Sequence, residues 1–190
     1  MPLMPTVRVP SAEMHRWPIG FGEVLPTDHW LVLHALPRQD KRLIWDLKQR
    51  KIAGVAFYEN RVRHYEKSTQ TFHVPLLGGY LFAHLPRERR HEVYDTGRIV
   101  RIIDVADAAG LANDLTALAR LLEAVGDGPL AVRPEIVVGN TIRVASGMFA
   151  GCTGIVVRRK ANVQLVVNLP VLGQSVATVI PLAFAELITG

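Results

Sequence analysis

A break at Gly126-Asp127-Gly128-Pro129 constrains this chain more than any other feature. Two glycines and a proline within four residues end a helix and do not suit a central strand. Beyond the break the sequence turns to β-branched runs: Thr141-Ile142-Arg143-Val144, Gly154 to Val157, Val163 to Val167 and Val176 to Ile180. Turns at Ser146-Gly147, Lys160-Ala161-Asn162 and Pro170 to Gly173 separate them. Several short strands at this spacing predict a small all-β barrel over residues 136–190. About fifty-five residues is marginal but feasible for independent folding. Residues 127–135 then serve as a linker.

Before the break the pattern is mixed. Trp30-Leu31-Val32-Leu33-His34 has strand composition. Asp40 to Lys51 predicts a helix, because Leu43, Ile44 and Leu47 share one face. Lys48, Arg50 and Lys51 fill its last turn, where cations suit the dipole, and Gly54 closes it. Val55 to Tyr58 and Val62 to Tyr65 read as strands, and a polar turn at Lys67-Ser68-Thr69 leads into Thr71 to Val74 as a hairpin. Gly78-Gly79 precedes a strand from Tyr80 to Leu85, Arg87 to Tyr94 a short helix, and Ile99 to Val105 another strand. Leu115, Leu118, Leu122 and Val125 recur at i, i+3, i+7 and i+10, an amphipathic helix stopped by Gly126. The order β-α-β-β-β-α-β-α predicts an α+β domain over residues 30–126, an antiparallel sheet with flanking helices. Residues 1–29 carry five prolines and no sustained period, and read as a flexible extension.

Composition removes several classes. With 49% hydrophobic and 21% charged residues in 190, the chain is globular, one ordinary domain or two small ones. A single cysteine excludes an intramolecular disulfide framework and any multi-cysteine zinc site. The most apolar run, Val176 to Ala185, is about half a bilayer span, and no signal-peptide pattern opens the chain. The expected compartment is the cytoplasm, with no membrane partner. The net charge of +5 is consistent with phosphate-backbone binding or with solubility alone. Its distribution is uneven, with nine Lys and Arg between Arg38 and Lys67 against Asp40, Asp46, Glu59 and Glu66.

No catalytic constellation emerges. The seven histidines include no pair at i, i+4, and none stands at metal-ligand spacing from Cys152. Gly151-Cys152-Thr153-Gly154 looks like a nucleophile in a tight turn, yet no base or orienting group accompanies it. The glycines of this region lead into a strand rather than a helix, so they are no phosphate loop. Asp104 and Asp107 read as a turn at a strand end. No cofactor, metal or enzymatic activity is expected.

Gly147-x-Phe149-x-Gly151-x-x-Gly154-x-Val156 puts three glycines where a barrel hairpin bends or brings backbones close. This spacing resembles the KOW motif of small SH3-like barrels. Trp30-Leu31-Val32-Leu33-His34 followed by Pro37-Arg38-Gln39-Asp40-Lys41-Arg42 resembles the first strand and basic helix start of NusG N-terminal domains. Leu76-Leu77-Gly78-Gly79-Tyr80-Leu81-Phe82 resembles that domain's Phe-Pro-Gly-Tyr-x-Phe segment, with Leu77-Gly78 where the family usually has Phe-Pro. The resemblance to the NusG family spans residues 30–188.

The resemblance implies a monomeric, non-enzymatic transcription elongation factor that rides on RNA polymerase. By motif position, His34, Leu77, Tyr80 and Phe82 would grip the clamp helices of the largest polymerase subunit. Phe149, Leu165, Val171 and Leu172 would form the barrel's partner surface, toward the ribosomal protein NusE or the terminator Rho. The segment Val166-Val167-Asn168-Leu169-x-x-Leu172-Gly173-Gln174-Ser175-Val176 is similar to the specialised RfaH-type paralogues. Some of those hold the second domain as a helical hairpin, whereas the β-branched residues here predict strands. A housekeeping NusG and a ribosome-associated or RNA-binding KOW protein remain as alternatives.

The helix adds a nucleic-acid reading. At about 100° per residue, Leu43 and Leu47 face the sheet and Trp45 the opposite side. Lys41, Arg42, Lys48 and Gln49 surround Trp45, an aromatic ring among bases and amides, as in a stacking platform for single-stranded nucleic acid. The resemblance implies that the strand would be non-template DNA. Packing of Trp45 beneath the N-terminal extension or against a neighbouring element is the competing expectation.

Overall fold

The computed structural model describes residues 12–17, 25–66, 68–126, 128, 130–134, 140–144, 147–159, 162–180 and 185–187. The first sheet holds β1 (Ala12–Trp17), β2 (Trp30–Ala35), β3 (Ala53–Tyr65), β4 (Ser68–Pro75), β5 (Tyr80–His84) and β6 (Ile99–Asp104). Its order is β1-β3-β5-β2-β6, and β4 pairs with the outer part of β3. All these pairings are antiparallel. Helix α1 (Asp40–Gln49), the short α2 (His91–Tyr94) and the long α3 (Ala108–Val125) flank the sheet.

Strand alternation divides the sheet into two apolar faces. Val32, Val55, Phe57 and Phe82 face the side that α3 covers with Leu111, Leu115, Leu118 and Leu122. Leu31, Leu33, Ala56, Tyr58, Leu81 and Ala83 face the other side, against Leu43, Ile44 and Leu47 of α1 and Val93 of α2. The predicted helix stripes are therefore the buried ones.

Two readings of the sequence are corrected. Ala12–Trp17 is not part of a flexible extension; it pairs with β3 along six residues, from Ala12 opposite Glu59 to Trp17 opposite Gly54. Trp17 is fully buried, and its indole Nε1 donates to the Ile52 carbonyl at 3.0 Å. One deeply buried indole and an edge strand in need of a partner outweigh the proline content of the flanks. Val55–Tyr58 and Val62–Tyr65 are also not separate strands, because β3 runs through both without a break.

Gly54 is required where β1 meets β3. A methyl group there would overlap the Phe82 carbonyl oxygen and the Trp17 ring. Gly54→Ala is expected to cost about 2 kcal/mol through overpacking, measurable as a lowered urea midpoint with an unchanged slope.

The C-terminal residues form a second antiparallel sheet of β7 (Ala131–Pro134), β8 (Asn140–Val144), β9 (Thr153–Arg159), β10 (Asn162–Leu169), β11 (Gln174–Ile180) and β12 (Ala185–Leu187). Its order is β12-β8-β9-β10-β11-β7, and among the described residues its two ends do not pair, so the sheet is open. Gly154 lies against the Val166 backbone of β10, where a side chain has no room. Helix α3 packs on β10 as well as on β1. Its buried set includes Ala112, Ala119 and Leu121 beside the Leu115-Leu118-Leu122-Val125 stripe, wider than one sheet face demands. Apolar residues of both sheets thus join one core around α3. No helix of the described residues is long and apolar enough to cross a membrane.

Candidate functional site

The outward face of α1 gathers the predicted platform. Trp45 is 61% exposed, and Lys41, Arg42, Lys48 and Gln49 are exposed around it. The helix's two carboxylates are engaged elsewhere: Asp40 accepts from the Tyr58 hydroxyl at 2.7 Å, and Asp46 accepts from Arg98 Nε. Arg98 also donates to the Gln39 side chain at 2.8 Å. Among the described residues no carboxylate forms an ion pair with Lys41, Arg42 or Lys48. The face is therefore basic and aromatic with its acids turned away, which suits an anionic chain carrying planar rings.

Beside Trp45 a groove of about 290 Å³ is lined by His15, Lys41, Ile44, Trp45, Lys48, Tyr58 and His73. The rings of Tyr58 and His73 stack at 4.6 Å and 20°. His15 meets Tyr58 edge-on at 6.3 Å. The sequence reading missed His15, Tyr58 and His73. The interrupted prolines hid His15, while strand alternation on β3 and β4 could have paired Tyr58 with His73 once the hairpin register was known.

Tyr58 is held by its acid. Burial, then the hydrogen bond and charge of Asp40, push its ionisation well above the ordinary value of 10.0. Unfolded chains ionise this tyrosine near pH 10, so the stability it carries is complete below that pH and declines above it. Tyr58→Phe is expected to lessen that alkaline loss and to cost about 1–3 kcal/mol at neutral pH, because buried Asp40 loses a donor. Urea titrations at neutral and alkaline pH measure both effects.

The second predicted surface is only partly accessible. His34 and Tyr80 face each other across β2 and β5, with rings stacked at 4.4 Å and 19°. Arg101 Nη2 donates to the Tyr80 hydroxyl at 3.0 Å. Both rings are half-buried at the sheet's margin. Leu77 and Phe82 are not surface residues: both are buried in the core under α3. Phe82 shares a face with Tyr80 but lies deeper in the sheet, and a motif spacing cannot separate centre from margin.

A similar correction applies to the C-terminal sheet. Phe149 and Leu165 are buried, because the turn before β9 folds inward and Leu165 alternates with Val167 and Leu169 toward the core. Val171 and Leu172, in the turn between β10 and β11, remain half-buried. Cys152 is buried too, and its Sγ donates to the Arg120 carbonyl at 3.6 Å. Burial raises its thiol pKa, which suits packing and not nucleophilic attack. Among the described residues no three His, Cys, Asp or Glu side chains converge to hold a metal ion.

Residues 28–116 match the family model described as NusG, transcription termination factor nusG. They form a NusG domain. The match opens just before β2 and closes within α3, so β1 and the whole C-terminal sheet lie outside it. No curated protein matches the chain. The match covers just under half of the chain, and over these residues the chain is similar to transcription factors of the NusG family. Proteins of this family bind RNA polymerase and have no enzymatic activity of their own.

Proposed function

We propose that this NusG-like chain is a specialised elongation factor that rides on RNA polymerase and alters pausing, termination or antitermination. In this reading residues 30–126 are the polymerase-binding domain and residues 136–190 a KOW-type module; the linker expected over 127–135 is corrected at Ala131–Pro134, which pairs with β11 as a strand of the second sheet. His34 and Tyr80 are the accessible part of the contact with the clamp helices. The observation that carries the reading is the exposed α1 face within a NusG domain, with Trp45 among Lys41, Arg42, Lys48 and Gln49. On a transcribing polymerase this face meets displaced non-template DNA, the indole stacking on a base and the cations meeting phosphates.

The similarity of the segment from Val166 to Val176 to RfaH-type paralogues supports the specialised role over a housekeeping one. Half-buried Val171 and Leu172 are the part of the C-terminal module suited to a partner such as NusE or Rho. The test is transcription by purified polymerase on the factor's own operon leader. Adding the chain is expected to change dwell times at pauses or the fraction of terminated transcripts. An unchanged transcript pattern at saturating protein would overturn the reading.

A further inference from the structure

We propose that α3 is a shared spine holding both sheets as one rigid body, so that the second sheet is a fixed arm and not a module on a tether. This goes beyond the proposed function, in which the two parts are separate working units, and it does not depend on which partner the chain binds.

Four observations support it. The first is the helix itself. Leu111, Leu115, Leu118, Leu122 and Val125 make one buried stripe. At about 100° per residue, Gly110, Asp114, Ala117, Leu121 and Ala124 make a second stripe beside it, one residue earlier at every step. Leu121 is fully buried, and Ala117 and Ala124 pack against the common core. The small residues of this stripe let a strand approach the helix closely. A helix with one partner sheet needs one apolar stripe, and α3 has two.

The second is the reach of the contact. Near the start of α3, Gly110 and Asp114 line a cleft of about 380 Å³ with Pro170 and Val171, from the turn between β10 and β11. Near its end, Arg120 and Ala124 line another of about 460 Å³ with Ala150 and Cys152, from the turn before β9. Strand β10 packs on the helix. The second sheet therefore follows α3 from its first turn to its last. Cys152 ties the junction, its Sγ donating to the Arg120 carbonyl.

The third is core continuity. Val32, Phe57 and Phe82 of the first sheet and Leu165, Val167 and Val176 of the second belong to one buried cluster, joined through α3. Domains that move against each other have their own cores and a more polar interface.

The fourth is the connection. Residues 126–130 alone separate α3 from β7, and β7 pairs with β11 over Ala131–Pro134. A stretch of that length reaches about 20 Å at most. The Gly126 N–H donates to the Leu122 carbonyl at 3.1 Å and the Gly128 N–H to the Val125 carbonyl at 2.9 Å, which holds both glycines to the helix end. Leu130 packs against the common core. A partner bound at Val171 and Leu172 is then presented at one position relative to the first sheet.

The experiment uses the full chain. Trp17, Trp30 and Trp45 all precede α3, so tryptophan emission during urea unfolding reports the first sheet and its helices. Val176 is fully buried in β11 of the second sheet. In one body, Val176→Ala is expected to lower the tryptophan-detected midpoint by about 0.5–1 M, the size of a core truncation divided by an ordinary urea slope. Val179→Ala, at an exposed position of the same strand, should leave it unchanged. Relaxation of backbone amides in the unsubstituted chain gives a second reading that needs no variant. One tumbling time is expected for both sheets.

A tryptophan-detected midpoint of Val176→Ala equal to the parent's would refute the shared spine. A second sheet that tumbles faster than the first in the parent chain would refute it as well.

Discussion

Phe82→Ala is expected to remove about 3–5 kcal/mol of stability, the cost of truncating a fully buried aromatic ring. Phe82 meets Phe57 edge-on at 6.2 Å beneath α3, and little around it is free to collapse into the space. Because small proteins hold about 5–15 kcal/mol in total, this one change takes a large share. Urea unfolding of the variant measures it. The outcome also separates two roles that the motif alone confuses. A core residue loses polymerase affinity only in proportion to unfolding, whereas a contact residue would lose affinity with stability intact.

Trp45→Ala is expected to behave in the opposite way. An indole that is 61% exposed has little burial to lose, so stability should change by less than about 0.5 kcal/mol. Its effect should fall on DNA contact, at roughly 1–3 kcal/mol for each base it stacks. That corresponds to about a fivefold to 150-fold weaker interaction with the displaced strand. Arg42→Ala should mainly flatten the salt dependence, since it removes a phosphate contact and no stack. Crosslinking to non-template DNA in a stalled elongation complex measures both. Crosslinking unchanged by Trp45→Ala would reduce the indole to a surface residue without this role.

The sequence showed the helices well because their apolar stripes are regular. Leu43, Ile44 and Leu47 in α1, and Leu115, Leu118, Leu122 and Val125 in α3, are all buried as their spacing requires. Leu121 and Ala112 were not legible as core, because only a second packing surface on α3 explains their burial. The β1 strand was hidden for a related reason. Its pairing partner lies some forty residues away, and nothing local marks Ala12–Trp17 as paired except the composition of the strand itself.

The candidate site was half legible. Periodicity alone put Trp45, Lys41, Arg42, Lys48 and Gln49 on one outward face, and all five are exposed. The groove beside them needed tertiary information, since His15, Tyr58 and His73 come from three different strands. The motif residues Leu77, Phe82, Phe149 and Leu165 show the converse failure. Each is apolar at a family position, and depth within a sheet is invisible in a one-dimensional pattern.

In the proposed function the NusG domain carries this chain onto RNA polymerase through the margin formed by His34 and Tyr80. The most direct measurement is binding of the full chain to purified polymerase, compared with Tyr80→Asp. Tyr80 is half-buried and next to Arg101, which can pair with the new carboxylate and keep the variant folded. A carboxylate placed in an apolar contact costs more than the roughly 3 kcal/mol of an unpaired neutral polar group, so affinity should fall at least tenfold while melting is preserved. No binding by the parent chain, or equal binding by a folded Tyr80→Asp protein, would contradict the account.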